Sequence, residues 1–310
     1  MQNKKKIIIA TRKSQLAMWQ ASYVKLKIES QSPDLECELL PLSTKGDKIQ
    51  NTPLSKIGGK GLFVKEIQNA LLEGKADIAV HSMKDLPKEN PHELTITAVL
   101  ERASPYDAMV SNKYESFDSL PINAIVGTSS ARRSAQILLN RPDIQIKQLR
   151  GNVNTRLSKL DNNHYDAIIL ASAGLERIGL KKRITQILYP PLMIPAAAQG
   201  VIGIETCKDN TKLNQLIRSI NNPNTEITTD AEKTFYNTLE GSCQTAIAAF
   251  ATIDKEKLFL KGFISTANGD QVLMSYDVGS IKHPKTLGTS LAKKMLSSNS
   301  TIIMSQSTIK

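Results

Sequence analysis

Three times in this chain a short apolar run stops at a tight turn that carries arginine beside hydroxyl or amide residues, and a helical pattern begins directly after it. Ile7-Ile8-Ile9-Ala10 leads into Thr11-Arg12-Lys13-Ser14, and Ala124-Ile125-Val126-Gly127 leads into Thr128-Ser129-Ser130-Ala131-Arg132-Arg133. Ile144-Gln145-Ile146-Lys147-Gln148-Leu149 leads into Arg150-Gly151-Asn152-Val153-Asn154-Thr155-Arg156. A strand that feeds a helix through so short a turn belongs to an α/β unit, in which the helix carries the chain back across the sheet. The helix start leaves backbone N–H groups free and carries the positive end of the dipole. Hydroxyls add donors there, and the planar arginine fork matches carboxylate or phosphate. Three such places predict a ligand with several anionic groups.

The rest of the pattern fits around these turns. Residues 15–29 place Leu16, Trp19, Tyr23, Leu26 and Lys27 near a helical period, stopped by Ser30-Gln31-Ser32-Pro33. Residues 36–40, 78–81 and 94–100 read as strands; residues 64–72 read as a helix with Ile67, Leu71 and Leu72 on one face and Gly74 ending it. Residues 101–107, with Pro105, read as a crossover into a second αβ unit. That unit has strands at 124–127, 144–149 and 166–171 and helices at 131–139, 154–160 and 173–178. Pro190-Pro191 and Pro195 mark a second crossover, after which 201–205 returns as a strand to the first sheet. Two αβ lobes joined in this way predict a cleft, with ligands off the carboxyl ends of the strands, where the arginine turns lie.

From residue 222 the pattern changes. Asn224 or Thr225 is expected to cap a helix to Leu239 that presents Ile227, Ala231, Phe235 and Leu239. Gly241 follows as the expected end residue. Strands at 246–251, 258–264 and 272–276 and a helix at 285–296 complete a small α+β domain with an antiparallel sheet. The expected domains are therefore 1–100 with 200–218, then 105–194, then 222–310. Residues 47–61, with Gly58-Gly59-Lys60-Gly61, read as a mobile loop; they lack the Gly-Lys-Ser/Thr ending of a nucleotide P-loop.

Among its 310 residues the chain has 40 Lys+Arg against 29 Asp+Glu, a net charge of +11 that by itself suits a nucleic-acid binder. Aromatic content of only 5% leaves few stacking platforms, and the arginines sit at strand ends instead of along one helix face. A polyanionic small molecule explains that placement better than nucleic acid. No apolar run approaches a membrane span and the opening run is too short for a signal-peptide core, so the expected location is cytoplasmic and off the membrane. Cys37, Cys207 and Cys243 form neither a metal-ligand motif nor an even disulfide set. Cys37 and Cys207, on or after strands, read as structural; Cys243, beyond a helix end with Gly241 and Ser242 beside it, reads either as a small core residue or as a reactive thiol. Asp85, in His81-Ser82-Met83-Lys84-Asp85-Leu86-Pro87, either opens the turn into Pro87 or serves the same cleft as Arg12 and Arg132. His81 reads as a satisfied strand residue, since no second His or Cys lies at ligand spacing.

At this point whole strings match a known family. Ala10-Thr11-Arg12, Gly58-Gly59-Lys60-Gly61-Leu62-Phe63, His81-Ser82-Met83-Lys84-Asp85, Gly127-Thr128-Ser129-Ser130-Ala131-Arg132-Arg133, Leu149-Arg150-Gly151-Asn152-Val153 and Leu239-Glu240-Gly241-Ser242-Cys243-Gln244 resemble the porphobilinogen deaminase (hydroxymethylbilane synthase) family. They occur in its order over almost the whole chain. The resemblance implies two lobes like type II periplasmic binding proteins and a C-terminal α+β domain. It implies a dipyrromethane cofactor held by a thioether to Cys243, onto which four porphobilinogen molecules are condensed with loss of ammonia before hydrolysis frees hydroxymethylbilane. It implies Asp85 as the catalytic carboxylate; Lys84, Ser130, Arg132 and Arg133 on cofactor carboxylates; and Arg12, Ser14, Arg150, Arg156 and Arg177 on substrate and growing chain. Thr128, Ser129 and Gln199 are expected to line the cleft, Lys56 and Lys60 to lie on the mobile loop, no metal to be required, and the protein to act as a monomer. The chain departs from the family pattern at Ser242, Gln15, Lys45 and Asn154, where glycine, proline, arginine and glycine are commoner; none removes a charged group. A rival expectation, a non-catalytic bilobal binding protein for a polycarboxylate, would share the cleft but needs neither Cys243 nor a third domain.

Overall fold

The structure, a computed structural model, describes residues 5–48, 61, 64–239, 246–266 and 268–297. Lys56, Lys60, Gly241, Ser242 and Cys243 lie outside the described residues. The chain begins with β1 (Lys5–Arg12), α1 (Gln15–Gln31), β2 (Leu35–Leu42), the short α2 (Lys45–Lys48), α3 (Lys65–Leu72), β3 (Ile78–Ser82) and β4 (Leu94–Val99). It continues with β5 (Asp107–Val110), β6 (Ile125–Gly127), α4 (Ala131–Asn140), β7 (Gln145–Lys147), α5 (Val153–Asp161), β8 (Ala167–Ala171), α6 (Ser172–Arg177) and β9 (Gln186–Leu188). The last part holds β10 (Ile202–Cys207), α7 (Thr211–Arg218), α8 (Pro223–Leu239), β11 (Ala246–Asp254), β12 (Lys257–Ser265), β13 (Val272–Ser280) and α9 (Pro284–Met295). Its contacts gather into two units, residues up to 102 with 201–226, and residues 103–200 with those from 227 onward.

The first unit is built on a five-stranded sheet in the order β2-β1-β3-β10-β4. β1 runs parallel to β2 and β3, while β10 lies antiparallel between β3 and β4. The two faces of this sheet are apolar for different reasons. Ile7, Ile9, Ile78 and Val80 pack with Ala21, Val24 and Ile28 of α1 and with Ile217 of α7, whereas Ala10 and Ala79 pack with Ile67, Ala70 and Leu71 of α3. The second unit repeats the plan in a sheet ordered β7-β6-β8-β5-β9, with β6 parallel to β7 and β8 and β5 antiparallel to β8 and β9. It also contains an antiparallel three-stranded sheet, β11-β12-β13, covered by α8 and α9 around Phe235, Leu239, Leu258, Leu260 and Leu291. Two mixed α/β sheets and a small C-terminal antiparallel domain are the fold class expected from the sequence.

Several local expectations are corrected. On α1 the buried face is Gln20, Ala21, Val24 and Ile28, and not the Leu16/Trp19/Leu26 stripe. Trp19 is instead 36% exposed and stacks on Tyr23 with ring centroids 5.3 Å apart, with Lys27 over the Tyr23 ring. Close packing of α1 on the sheet favours its small and β-branched residues, and the aromatic pair with its lysine stem covers the outside. Leu72 likewise turns outward. The cap of α8 is Asn222, whose side chain accepts from the Thr225 backbone N–H at 2.9 Å, with Pro223 as the first helical residue. The sequence reading named no element at β5, β9 or α7. β5 and β9 are strands of four and three residues, too short to leave a period-2 pattern.

Two turns make the backbone requirement testable. Gly74 and Gly200 both have positive φ, +66° and +87°, but a Cβ on Gly74 would meet nothing within 4 Å, whereas one on Gly200 would sit 2.5 Å from the Ala103 carbonyl oxygen and 2.9 Å from that of Ser104. Gly74→Ala should therefore cost about 1 kcal/mol, the ordinary penalty of a left-handed alanine. Gly200→Ala should cost about 3 kcal/mol or more, because both close contacts are backbone carbonyl oxygens, which cannot swing aside as a flexible side chain would. Denaturant titration of both variants against the parent protein measures the difference.

Candidate functional site

In the first unit the Arg12 turn and the Asp85 turn leave neighbouring parallel strands at the same end. β1 ends at Arg12, and Ser14 then caps α1 with its hydroxyl oxygen accepting from the Ala17 N–H at 3.4 Å. Thr11, fully buried, ties the turn from the other side by donating its hydroxyl to the Ala17 carbonyl. β3 ends at Ser82 and runs into a single 3₁₀ turn, Met83–Asp85, anchored by the Met83 N–H to the Val201 carbonyl at 3.0 Å. Arg12 and Asp85 line one small open recess together with Gln20, His81 and Ser82; Val64, Ile67 and Val80 form its apolar wall. Lys84 lies on the same 3₁₀ turn, half-buried.

A buried polar framework stands behind this recess. His81 Nε2 lies 2.9 Å from Glu205 Oε2, and Gln68 donates to the other oxygen of Glu205 at 2.9 Å. Gln20 and Ser82 bond each other across α1 and β3 at 3.0 Å. His81 is thus satisfied within the fold by Glu205, as the sequence predicts. Among the described residues no cluster of His, Cys, Asp and Glu is arranged to hold a metal ion. Glu205, Gln20 and Ser82 were not anticipated; a glutamate inside the apolar run 201–206 was the available signal, since such a charge needs a buried partner.

The second unit carries the other two arginine turns. After β6, Thr128 donates its N–H to the Lys147 carbonyl and accepts from the Ser130 N–H on its hydroxyl. Ser129 bonds both the N–H and the carbonyl of Leu149, joining this turn to the next one. Ser130 caps α4, accepting from the Arg133 N–H. Arg132 and Arg133 are each only 6% exposed and share Asp107, the first residue of β5. Arg133 donates from Nε and Nη2 to Asp107 Oδ1 at 2.9 and 2.7 Å, and Arg132 Nη1 lies 2.8 Å from Asp107 Oδ2. Backbone carbonyls complete the seat, Ile169 for Arg133 and Ile194 for Arg132.

Arg150 leads into Gly151 and then Asn152, which caps α5 by accepting from the Thr155 N–H at 2.9 Å. Arg156 donates from Nε to the Gly151 carbonyl at 2.7 Å, so its guanidinium lies over its own turn. Arg177, at the end of α6, donates to the Gly200 carbonyl at 2.7 Å. Gln199, nearly fully buried, donates to the Pro105 carbonyl and to Asp107 Oδ1. Arg132, Arg133, Gln199 and the Ser130 cap thus gather around one strand start, while Arg150 and Arg156 gather at the α5 start. Asp107 carries no comparable signal in the sequence: its four-residue strand begins where residues 101–107, with Pro105, read as a crossover.

Each unit by itself offers donors that suit carboxylates: guanidiniums, hydroxyls and two capped helix starts in the second unit, and Arg12 with a hydroxyl-capped start in the first. The two described cysteines are poor nucleophiles by comparison. Burial, reinforced by Glu29, pushes the Cys37 thiol up to about 11, and burial also raises that of Cys207. A thiol with that pKa is roughly 0.1% ionised at about pH 8. Brief iodoacetamide treatment of the folded protein, read by intact mass and peptide mapping, should therefore leave Cys37 and Cys207 unmodified. Any rapidly labelled site should be Cys243, and only in protein that carries no group on that sulfur.

Residues 7–215 match the family model described as porphobilinogen deaminase, dipyromethane cofactor binding domain, and residues 227–297 match that of the porphobilinogen deaminase C-terminal domain. Among solved structures, a Salmonella typhimurium periplasmic binding protein described as having high arginine specificity is 16% identical, with 70% of this chain and 91% of that one covered and a TM-score of 0.38. A probable amino-acid transporter extracellular-binding protein from Bacillus subtilis is 12% identical over 70% of this chain and 90% of its own, with a TM-score of 0.42. The two family matches together span nearly the whole chain, and the chain belongs to the porphobilinogen deaminase family, the dipyrromethane-bearing transferases that polymerise porphobilinogen to hydroxymethylbilane in tetrapyrrole biosynthesis.

Proposed function

We propose that the residues of this chain divide that reaction between them as follows. Asp85 is the catalytic carboxylate: when porphobilinogen loses ammonia, positive charge spreads onto the pyrrole nitrogen, and a fixed negative charge beside it lowers the barrier. Its place with Arg12 in one recess is the observation that carries this reading, since the arginine offers a partner to the substrate's own carboxylates. Lys84, Ser130, Arg132 and Arg133 hold the cofactor's carboxylates, and Arg12, Ser14, Arg150, Arg156 and Arg177 hold those of substrate and growing chain. Thr128, Ser129 and Gln199 act mainly as the framework of these turns, because their side chains bond to backbone or to Asp107. When bound, the dipyrromethane supplies the pyrrole end onto which new units are added. Cys243 supplies the sulfur of its thioether.

The proposed domains are 1–100 with 200–218, 105–194 and 222–310: Asp85, Lys84, Arg12 and Ser14 fall in the first, Ser130 and the remaining arginines in the second, and Cys243 in the third. The protein is read as a cytoplasmic monomer that binds no nucleic acid. No helix among the described residues is long and apolar enough to cross a membrane, and the arginines occupy capped turns instead of a continuous basic face.

Asp85→Asn should fold normally and keep its primer, yet lose turnover on the order of a hundredfold or more, because asparagine retains the shape and not the charge. Steady-state formation of hydroxymethylbilane measures this; near-parent rates would assign the charge stabilisation to another group. For Cys243, the purified protein should exceed its sequence mass by one dipyrromethane, and the excess should survive denaturation. Porphobilinogen should then add a ladder of species one pyrrole apart. Cys243→Ser should show neither, since a hydroxyl is a far weaker nucleophile at neutral pH, whereas Cys37→Ser and Cys207→Ser should show both. Product formed by protein at its bare sequence mass would eliminate the covalent primer.

A further inference from the structure

The two arginines at the start of α4 do not orient themselves. Side by side on a helix, Arg132 and Arg133 point in directions about 100° apart around its axis, and each carries a long stem with several rotatable bonds. What brings their guanidiniums to one place is Asp107. It has no exposed surface, and it is held on both sides by the ladder, opposite Ala171 of β8 and Leu188 of β9. One oxygen takes Arg133 Nε and Nη2, the other faces Arg132 Nη1 in an ion pair without the alignment of a hydrogen bond.

Asp107 is itself held. Gln199 donates to its Oδ1 at 3.1 Å and to the Pro105 carbonyl at 2.7 Å, so the amide spans the two ends of the segment entering β5. The backbone under Gln199 is costly: Ala198 has φ +59°, a left-handed conformation that strains a residue with a side chain. That conformation is secured by Glu232 of α8, fully buried, whose two oxygens accept from the Ala198 N–H at 2.6 Å and the Ala251 N–H at 2.7 Å. Gln136 of α4 bonds the N–H and the carbonyl of Ile194, and that same carbonyl receives Arg132. A chain of buried contacts thus runs from the C-terminal domain through Glu232, Ala198 and Gln199 to Asp107 and the arginine pair.

We propose that Asp107 is the positioning residue of the Arg132–Arg133 pair, locked in turn by Gln199, so that priming of the apoprotein by porphobilinogen depends on a carboxylate with no exposed surface. This rests on the reading above that the pair holds the primer's carboxylates. Paired anion recognition needs donors fixed to within about 0.5 Å. Asp107→Asn keeps the volume but exchanges the shared anion for an amide that can accept on only one side. Gln199→Met keeps the charge of Asp107 and nearly the same side-chain shape, and frees the carboxylate to turn.

The test uses full-length apoprotein made in a host that supplies no porphobilinogen, titrated with porphobilinogen, with primer formation read by intact mass and stability read by thermal unfolding. The concentration giving half-maximal priming should rise about tenfold in Asp107→Asn and about threefold in Gln199→Met, with the fraction finally primed unchanged. A purely structural role would lower only the amount of primable protein and the unfolding temperature, at an unchanged half-maximal concentration, and would overturn the proposal. Should Asp107→Asn fail to fold, Gln199→Met decides alone, and an unshifted half-maximal concentration there overturns it. Arg132→Leu and Arg133→Leu, measured in parallel, separate the two readings. Normal priming in both overturns the arginine assignment and the positioning with it; impaired priming there beside unshifted Asp107→Asn and Gln199→Met overturns the positioning alone.

Discussion

Placing two guanidiniums almost out of water at one helix start is the constraint around which much of the second unit is arranged. A buried charge is tolerated only where a counter-charge and hydrogen-bond acceptors meet it. Asp107, the Ile169 and Ile194 carbonyls and the Ser130 cap supply them, and each comes from a different stretch of chain. This explains why β5 begins where it does, why the segment at 194 is clasped by Gln136, and why a left-handed alanine survives beside Gln199. The first unit meets the same requirement on a smaller scale: His81, Glu205 and Gln68 satisfy one another beneath the Asp85 turn. In each unit the charged turn residues stand on buried polar residues that satisfy one another.

Much of the fold was legible because its signals are local. The α/β alternation, the three capped turns and α8 with Ala231, Phe235 and Leu239 inward follow from short-range periodicity and helix-start chemistry. The side chains proposed for the reaction, Arg12 and Asp85 in the first unit and Arg132 and Arg133 in the second, were legible for the same reason, since they sit in the turns themselves and the family strings mark them. What was not legible is non-local. Asp107 sits in four residues of strand whose partners are 64 and 81 positions away, and its charge was indistinguishable from a crossover residue until the ladder placed it. Gln199 and Glu232 likewise gain their meaning only from a turn that brings distant backbone together. The inward face of α1 was misread because packing chose Ala21 and Val24 over the larger Trp19 and Leu26, a choice of fit that a count of apolar residues does not register.

The interposed strand β10 has a consequence for how the protein is made. It pairs with β3 on one side and β4 on the other, yet it lies about a hundred residues after them, beyond the whole α/β part of the second unit. As the polypeptide leaves the ribosome, β1, β2, β3 and β4 emerge with no strand to join β3 to β4, and both present bare ladder edges. Edges of that kind invite pairing with other nascent chains. The second α/β sheet has all five of its strands within residues 107–188 and can close as soon as they are out. Translation order and assembly order are therefore opposed: the N-terminal sheet is the first to be begun and, waiting for residues 202–207, is completed only after the second α/β sheet.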